Sequence, residues 1–143
     1  MSNQNISLTA DSAIFRSEGE RTELLLVQRK YDPYKGLWAL PGGFLKDDET
    51  LEDGAKRELE EETGLKVERL EQIRAYGIPD RNPRGRTVSI GFWGELKEKV
   101  EVKGNDDAEL ADWHDVQKLP KLAFDHDLIV EEAFQKYSSK KSN

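Results

Sequence analysis

Apolar positions along the 143 residues fall into short runs with two different spacings, separated by turn residues. Ile6 to Arg16 has strand-like composition in parts, with Ile6, Leu8, Ala13, Ile14 and Phe15, and Ser17-Glu18-Gly19-Glu20 is a turn. Thr22 to Gln28 contains Leu24-Leu25-Leu26-Val27, an uninterrupted apolar run that suits a strand buried on both faces. The two pieces are expected to pair as a hairpin. Arg29 to Gly36, punctuated by Pro33 and Gly36, reads as a loop. Leu37-Trp38-Ala39-Leu40 is a short strand that runs into Pro41-Gly42-Gly43, where the chain must turn sharply and Gly43 lets the backbone approach a ligand. Leu51, Ala55 and Leu59 then recur every fourth residue, the spacing of a helix.

Strand character returns over Leu65 to Ile78, and Pro79 to Arg86 is an extended basic loop with two prolines. Thr87 to Leu96 is expected to be a central strand, and Glu98 to Asp107 a charged loop or weak edge. Ala108 to Val116 suits another strand around Trp113, and Lys118 to Phe124 a connector. Asp125 to Tyr137 places Leu128, Ile129, Ala133 and Phe134 in helical register behind Asp125 as an N-cap. Residues 1–5 and 137–143 are polar and are expected to be disordered tails. With no repeat and no dividing linker, the order β-β-β-α-β-β-β-α predicts one domain over 1–143. Its class is α+β, an α/β/α sandwich around a mixed sheet.

The helix of the middle third has unusually clear ends. Thr50 is a good N-cap with Asp53 three residues on, and Gly64 follows the last turn where a left-handed residue is wanted. Glu58, Glu61 and Glu62 stand at i, i+3 and i+4, so their side chains emerge together beside the apolar stripe. Like charges so spaced repel, and the negative end of the helix dipole disfavours anions there. Lys56 and Arg57 offset this only in part. Two readings follow: a solvated acidic face, or a hard-oxygen site that a divalent cation such as Mg2+ or Mn2+ would neutralise.

Composition narrows the partners. A net charge of −7 argues against non-specific binding to nucleic acid or to an anionic membrane, both of which need a basic surface. An anionic substrate would then have to be received by bound cations or by a local cluster of arginines. There is no cysteine, hence no disulfide, zinc–thiolate site or thiol nucleophile. No apolar run approaches the ~20 residues of a membrane span, and the polar start does not read as a signal peptide. The expectation is a soluble, cytoplasmic protein.

The chemistry sharpens when the helix is read with the loop before it. Gly43, then Glu49, then Arg57-Glu58-Leu59-x-Glu61-Glu62-x-Gly64-Leu65 resembles the signature of the Nudix hydrolases, with every fixed position of that box filled over Gly43 to Leu65. The resemblance implies a mixed sheet between helices and metal-dependent hydrolysis of a phosphoanhydride. It implies Glu58, Glu61 and Glu62 as ligands of Mg2+ or Mn2+, with the Gly42 carbonyl as a further one. Arg57 would hold one of these carboxylates through a bidentate contact, and Glu49 would brace the loop against the helix or reach the outer shell of the metal. For both, a purely structural ion pair stands beside the functional reading. Members of the family draw the general base either from the box or from a later acidic loop. Glu61 ranks first here and Asp107 second, a solvated loop being the plain reading of Asp106, Asp107 and Glu109.

Outside the box, Trp38 to Phe44, Asp80 to Arg86 and Ala123-Phe124-Asp125-His126 resemble, more loosely, the small ADP-ribose pyrophosphatase group. That group is related to domains of regulators of NAD metabolism, and its members are often dimers, so a homodimer is one assembly the resemblance admits. The group's usual Asp-Pro-Arg is extended here to Asp80-Arg81-Asn82-Pro83-Arg84. Arg81, Arg84 and Arg86 suit diphosphate oxygens, with ordinary surface solubility as the alternative. Tyr31 and Tyr34 are candidates to stack on a base, whereas Trp38 reads as core. His126 either meets substrate or caps the last helix, and the cap is preferred.

The expected function is hydrolysis of ADP-ribose, or a related nucleoside diphosphate compound, to AMP and ribose 5-phosphate. The rivals are a triphosphate pyrophosphatase that clears damaged nucleotides and a sensor that binds ADP-ribose without turning it over. The complete box favours catalysis. The net acidity, and a chain that ends shortly after the last helix, argue against a DNA-binding regulator.

Overall fold

The computed structural model describes residues 4–98, 100, 102 and 108–141. Its elements are β1 (Ser7–Glu18), β2 (Arg21–Arg29), β3 (Trp38–Ala39), β4 (Gly42–Phe44), α1 (Leu51–Thr63), β5 (Glu71–Tyr76), β6 (Thr87–Leu96), β7 (Ala108–Asp115) and α2 (His126–Lys141). Among the described residues the strands join in one mixed sheet. β1 and β6 run parallel from Ser7↔Thr87 to Arg16↔Leu96, and the other pairings are antiparallel.

The expected hairpin forms, but it stays closed only near its turn. β1 and β2 pair from Phe15↔Leu24 to Glu18↔Arg21 and then part. On the edge so released, Thr9 to Asp11 of β1 pair with β4, while Val27 and Gln28 of β2 pair with β3. β2 keeps β7 along its opposite edge, from Glu23↔Asp115 onward. The chain between the splayed strands is the Leu40–Gly43 segment. The glycine pair therefore forms a short strand, which differs from the sharp turn expected there. The reason is that β1 offers it an unoccupied edge.

Two apolar layers cover the sheet. Leu25 packs with Ala10, Ile14, Ala55, Leu59, Ile90 and Phe92 under α1. Leu24 and Leu26 face the other way, with Phe15, Trp93, Ile129, Ala133 and Tyr137 under α2. The uninterrupted Leu24–Val27 run is thus buried on both faces, as its pattern predicts. Trp38, expected in the core, packs against the α2-side layer.

α1 begins and ends where its local signals sit. The Thr50 side chain accepts from the Asp53 N–H, and Gly64 closes the helix at φ 77°, its N–H donating to the Glu60 carbonyl. A cap of this kind contributes about 1 kcal/mol. α2 departs from expectation at both ends. It runs to Lys141, so the predicted tail from residue 137 is helical through Lys141. Tyr137 stacks on Phe15 at 4.8 Å between ring centres and its hydroxyl lies 2.5 Å from Ser17 Oγ. These long-range contacts carry the helix past the point where its own polar sequence would let it fray. At its start, the Asp125 carboxylate pairs with Arg81 instead of capping the helix.

Candidate active site

The first turns of α1 are tied to the preceding loop through Arg57. Its guanidinium forks onto Glu49, with Nε to Oε1 and Nη2 to Oε2 both at 2.8 Å. Nη1 donates to Glu58 Oε1 at 2.8 Å and to Glu61 Oε2 at 3.1 Å, and Nη2 to the Phe44 carbonyl at 3.1 Å. The bidentate contact therefore goes to Glu49, where the sequence reading assigned it to one of the three box carboxylates. Geometry explains the difference. Glu58 and Glu61 both meet the single Nη1 of Arg57, while the loop brings Glu49 square onto the fork of Nε and Nη2.

Arg57, followed by the Lys46 N–H at 2.8 Å, holds the Glu49 carboxyl far below its ordinary value of 4.5, at about 2. A carboxylate with a depressed folded-state value contributes stability that is fully present above 4.5 and lost as pH falls toward 2. The Glu49→Gln variant should accordingly lose less stability than the wild type across that window. Chemical denaturation at pH 6, 4 and 2.5 checks this, and parallel losses in the two proteins would refute it.

Glu62 lies deeper. It is only 7% exposed, and its Oε1 accepts the Gly42 N–H at 2.6 Å. The glycines make this approach feasible. A Cβ on Gly43 would collide with Glu58 Oε2, and one on Gly42 with the Ala10 carbonyl oxygen and Asp11 Oδ1. Glu58 and Glu62 thus press against bare backbone at one wall of a cleft of about 360 Å³, whereas Glu61 is more exposed and does not line it.

The cleft opens where β1 and β2 part. Also lining it are Asp11 on β1 and Arg29 on β2, neither singled out in the sequence, and Asn82 and Phe124, which belong to the two segments that carry the looser resemblance. Asp11 is 6% exposed and accepts from the Ser89 hydroxyl. A signal for it was present, since it is the one charge inside the Ala10–Phe15 strand. His126 also lines the cleft and is buried. Its Nδ1 accepts the Leu40 N–H at 3.0 Å, which corrects the expected helix cap. Burial pushes its pKa below the ordinary imidazole value, against the opposing pull of Asp11.

The arginine loop divides. Arg81 reaches the cleft wall, but its guanidinium is buried and forks onto Asp125 at 2.9 and 2.5 Å. Arg84 lines the cleft, exposed, with its guanidinium 5.7 Å from the Phe44 ring centre. Arg86 is exposed and outside the lining, where its carbonyl accepts from Ser7 N–H. Tyr31 lines the cleft; Tyr34 does not, and stands edge-on to Phe124 at 4.8 Å. Asp107, with Asp106, lies outside the described residues, and Glu109 enters β7.

As they stand, no three acidic or histidine side chains among the described residues are gathered closely enough to hold a cation. Arg57 occupies the face of Glu58 and Glu61, and Glu62 is turned onto Gly42. The donor set nonetheless fits a hard divalent ion: three carboxylates within two helical turns, against a backbone cradle that a single Cβ would fill.

A NUDIX domain profile matches residues 7–133. The chain is 44% identical over 110 residues to an ADP-ribose pyrophosphatase of Methanocaldococcus jannaschii, covering 77% of this chain and 64% of that one. It is 35% identical over 137 residues to the ADPR responsive transcriptional repressor NtrR of Acinetobacter baylyi, covering 93% and 55%. The chain thus spans less than two thirds of the length of either relative. The NUDIX domain of Shewanella oneidensis NrtR, solved with ADP ribose, superposes with a TM-score of 0.88 at 29% identity, covering 94% of this chain and 90% of that one. The match over nearly the whole described chain, on a fold and a box of carboxylates already in hand, establishes that the protein belongs to the Nudix family.

Proposed function

We propose that the protein is a metal-dependent pyrophosphatase that hydrolyses ADP-ribose, or a related nucleoside diphosphate compound, to AMP and a sugar phosphate. The observation that carries this reading is one cleft lined both by the glycine-backed carboxylates Glu58 and Glu62 and by the donor-bearing Arg84 and Asn82. The similarity to an ADP-ribose pyrophosphatase supports the substrate class.

Glu58, Glu61 and Glu62, with the Gly42 carbonyl, would hold Mg2+ or Mn2+, which when bound supplies the positive charge a phosphoanhydride transition state needs. Arg57 keeps Glu58 and Glu61 oriented and returns their negative charge to a tolerable level while the site fills. Glu61, at the exposed rim, is assigned to take the proton of the attacking water, with Asp107 as the second candidate. Arg84 is assigned to the diphosphate oxygens and Tyr31 to the base. Arg81 acts through Asp125 to hold the loop that carries Arg84, and Tyr34 packs edge-on against Phe124 of the lining. Arg84→Ala should raise KM several-fold with kcat nearly intact; wild-type KM would make that side chain ordinary surface.

The deciding test is turnover of ADP-ribose, ADP-glucose, NADH, diadenosine polyphosphates and oxidised dGTP with Mg2+ or Mn2+. AMP with ribose 5-phosphate marks the proposed reaction. A monophosphate with pyrophosphate marks a triphosphate pyrophosphatase. A tenfold preference for ADP-ribose in kcat/KM corresponds to about 1.4 kcal/mol of discrimination. A second reading, a sensor that binds ADP-ribose without hydrolysis, is supported by the similarity to an ADPR responsive repressor. Calorimetric binding of ADP-ribose with no turnover would select it.

A further inference from the structure

The Leu40–Pro41–Gly42 segment is held at three points by three different elements. Pro41 has no N–H, and its carbonyl accepts from Ser12 N–H of β1 at 2.9 Å. The Gly42 N–H goes to Glu62 of α1 at 2.6 Å. The remaining donor, the N–H of Leu40, is buried with its residue and goes to His126 Nδ1 at the start of α2. Because Leu40 N–H donates, Nδ1 carries a lone pair and the imidazole proton sits on Nε2. Nε2 faces Asp11 Oδ2 at 3.7 Å, and Asp11 is itself anchored by Ser89. The Box carboxylate on one side of the segment and the imidazole on the other are thus joined through three residues of backbone.

We propose that His126, oriented by Asp11, is a positioning residue that sets the Leu40–Gly42 backbone and through it the presentation of Glu62 to the cleft. The chain of contacts runs Ser89, Asp11, His126, Leu40, Gly42, Glu62, and each link but the 3.7 Å one is a hydrogen bond or the two peptide units that join Leu40 to Gly42 between β3 and β4. Sequence spacing hides it, since His126 and Leu40 are 86 residues apart. α2 thereby acts on the carboxylate wall without touching it, and any displacement of its first turn reaches Glu62 by this route. The other tie at that turn, Arg81 to Asp125, fixes the adjacent residue and stiffens the same point.

The test has three parts. The tautomer is read directly in the unaltered protein from long-range 1H–15N correlations of the imidazole. A protonated Nε2 and bare Nδ1 are expected, and a proton on Nδ1 would overturn the proposal. Next, His126→Phe keeps a ring but removes the acceptor, whereas His126→Asn places an amide oxygen near the Nδ1 position. Titration with Mn2+ alone, followed by its electron paramagnetic resonance signal, should give at least tenfold weaker binding for His126→Phe and recovery to within threefold for His126→Asn. Equal affinities in all three proteins, or no rescue by asparagine, would refute the assignment. Finally, and resting on the pyrophosphatase reading, His126→Phe should lower kcat at least tenfold with KM changed less than threefold. If the wild type turns nothing over, that reading fails while the tautomer and Mn2+ results still decide the role of His126.

Discussion

Replacing Glu62 with glutamine is expected to lower kcat by a hundredfold or more, which is about 2.7 kcal/mol of transition-state stabilisation. Glutamine has the shape of glutamate, and its amide oxygen can still accept the Gly42 N–H that Glu62 receives at 2.6 Å. What disappears is the charge. A hydrogen bond to a charged acceptor contributes about 1.5–3 kcal/mol and a neutral one about 0.5–1.5, so the cost to folding is about 1 kcal/mol. The separation between a small stability change and a large rate change is the signature of a charge that serves the reaction and not the fold. Glu61→Gln provides the companion measurement. Glu61 is largely exposed and is bonded by Arg57, so its loss should leave folding nearly untouched while lowering kcat to a similar degree. Wild-type rates in both variants would remove the box from the active site. A loss in Glu62→Gln alone would move the general base away from Glu61, toward Asp107.

The second large effect is expected at Arg57. Lysine keeps the charge but offers one ammonium in place of a planar fork, and no ammonium can span Glu49, Glu58, Glu61 and the Phe44 carbonyl at once. Arg57→Lys should weaken Mn2+ binding and lower kcat/KM by about 10–100-fold, the range found when groups that orient metal ligands are altered. It should also free Glu49, so that the acid-sensitive contribution of that carboxylate between pH 4.5 and about 2 is reduced. The competing view is that Arg57 only ties the loop to the helix. Under that view, thermal stability falls while Mn2+ affinity and turnover remain those of the wild type. Metal titration and kinetics on the same preparation decide between them.

How much of this was open to a reader of the sequence depends on the range of the interaction concerned. α1 could be placed to the residue because its determinants are local. Thr50 caps a donor three residues on, Gly64 adopts the left-handed turn, and Ala55 and Leu59 recur at the helical spacing. The buried strand β2 announced itself through four apolar residues in a row, since only a strand covered on both faces needs them. The candidate carboxylates were legible for the same reason, as three of them project from two turns of one helix. The rest of the cleft was legible only in part, for Phe124 and His126 lie in a segment marked by resemblance, whereas nothing joined them to Asp11. Asp11, Phe124 and His126 are more than 100 residues apart at the extremes and meet only because β1 and β2 splay.

The arginine loop shows where residue type misleads. Three arginines within six positions read alike, yet Arg81 is spent on Asp125, Arg84 faces the cleft and Arg86 stands outside it. An arginine's role is set by the carboxylate it meets, and Asp125 lies 44 residues away in sequence. The end of α2 follows the same rule, for Tyr137 owes its burial to Phe15 and Ser17 on the first strand. By itself the sequence determined the family, the helix that bears the acid cluster and the two-sided core, because capping, periodicity and spacing act within a few residues. The tertiary structure alone decided which partner each charged side chain meets, that the glycine pair becomes a strand, and that His126 holds Leu40, because those outcomes require distant segments to be brought side by side.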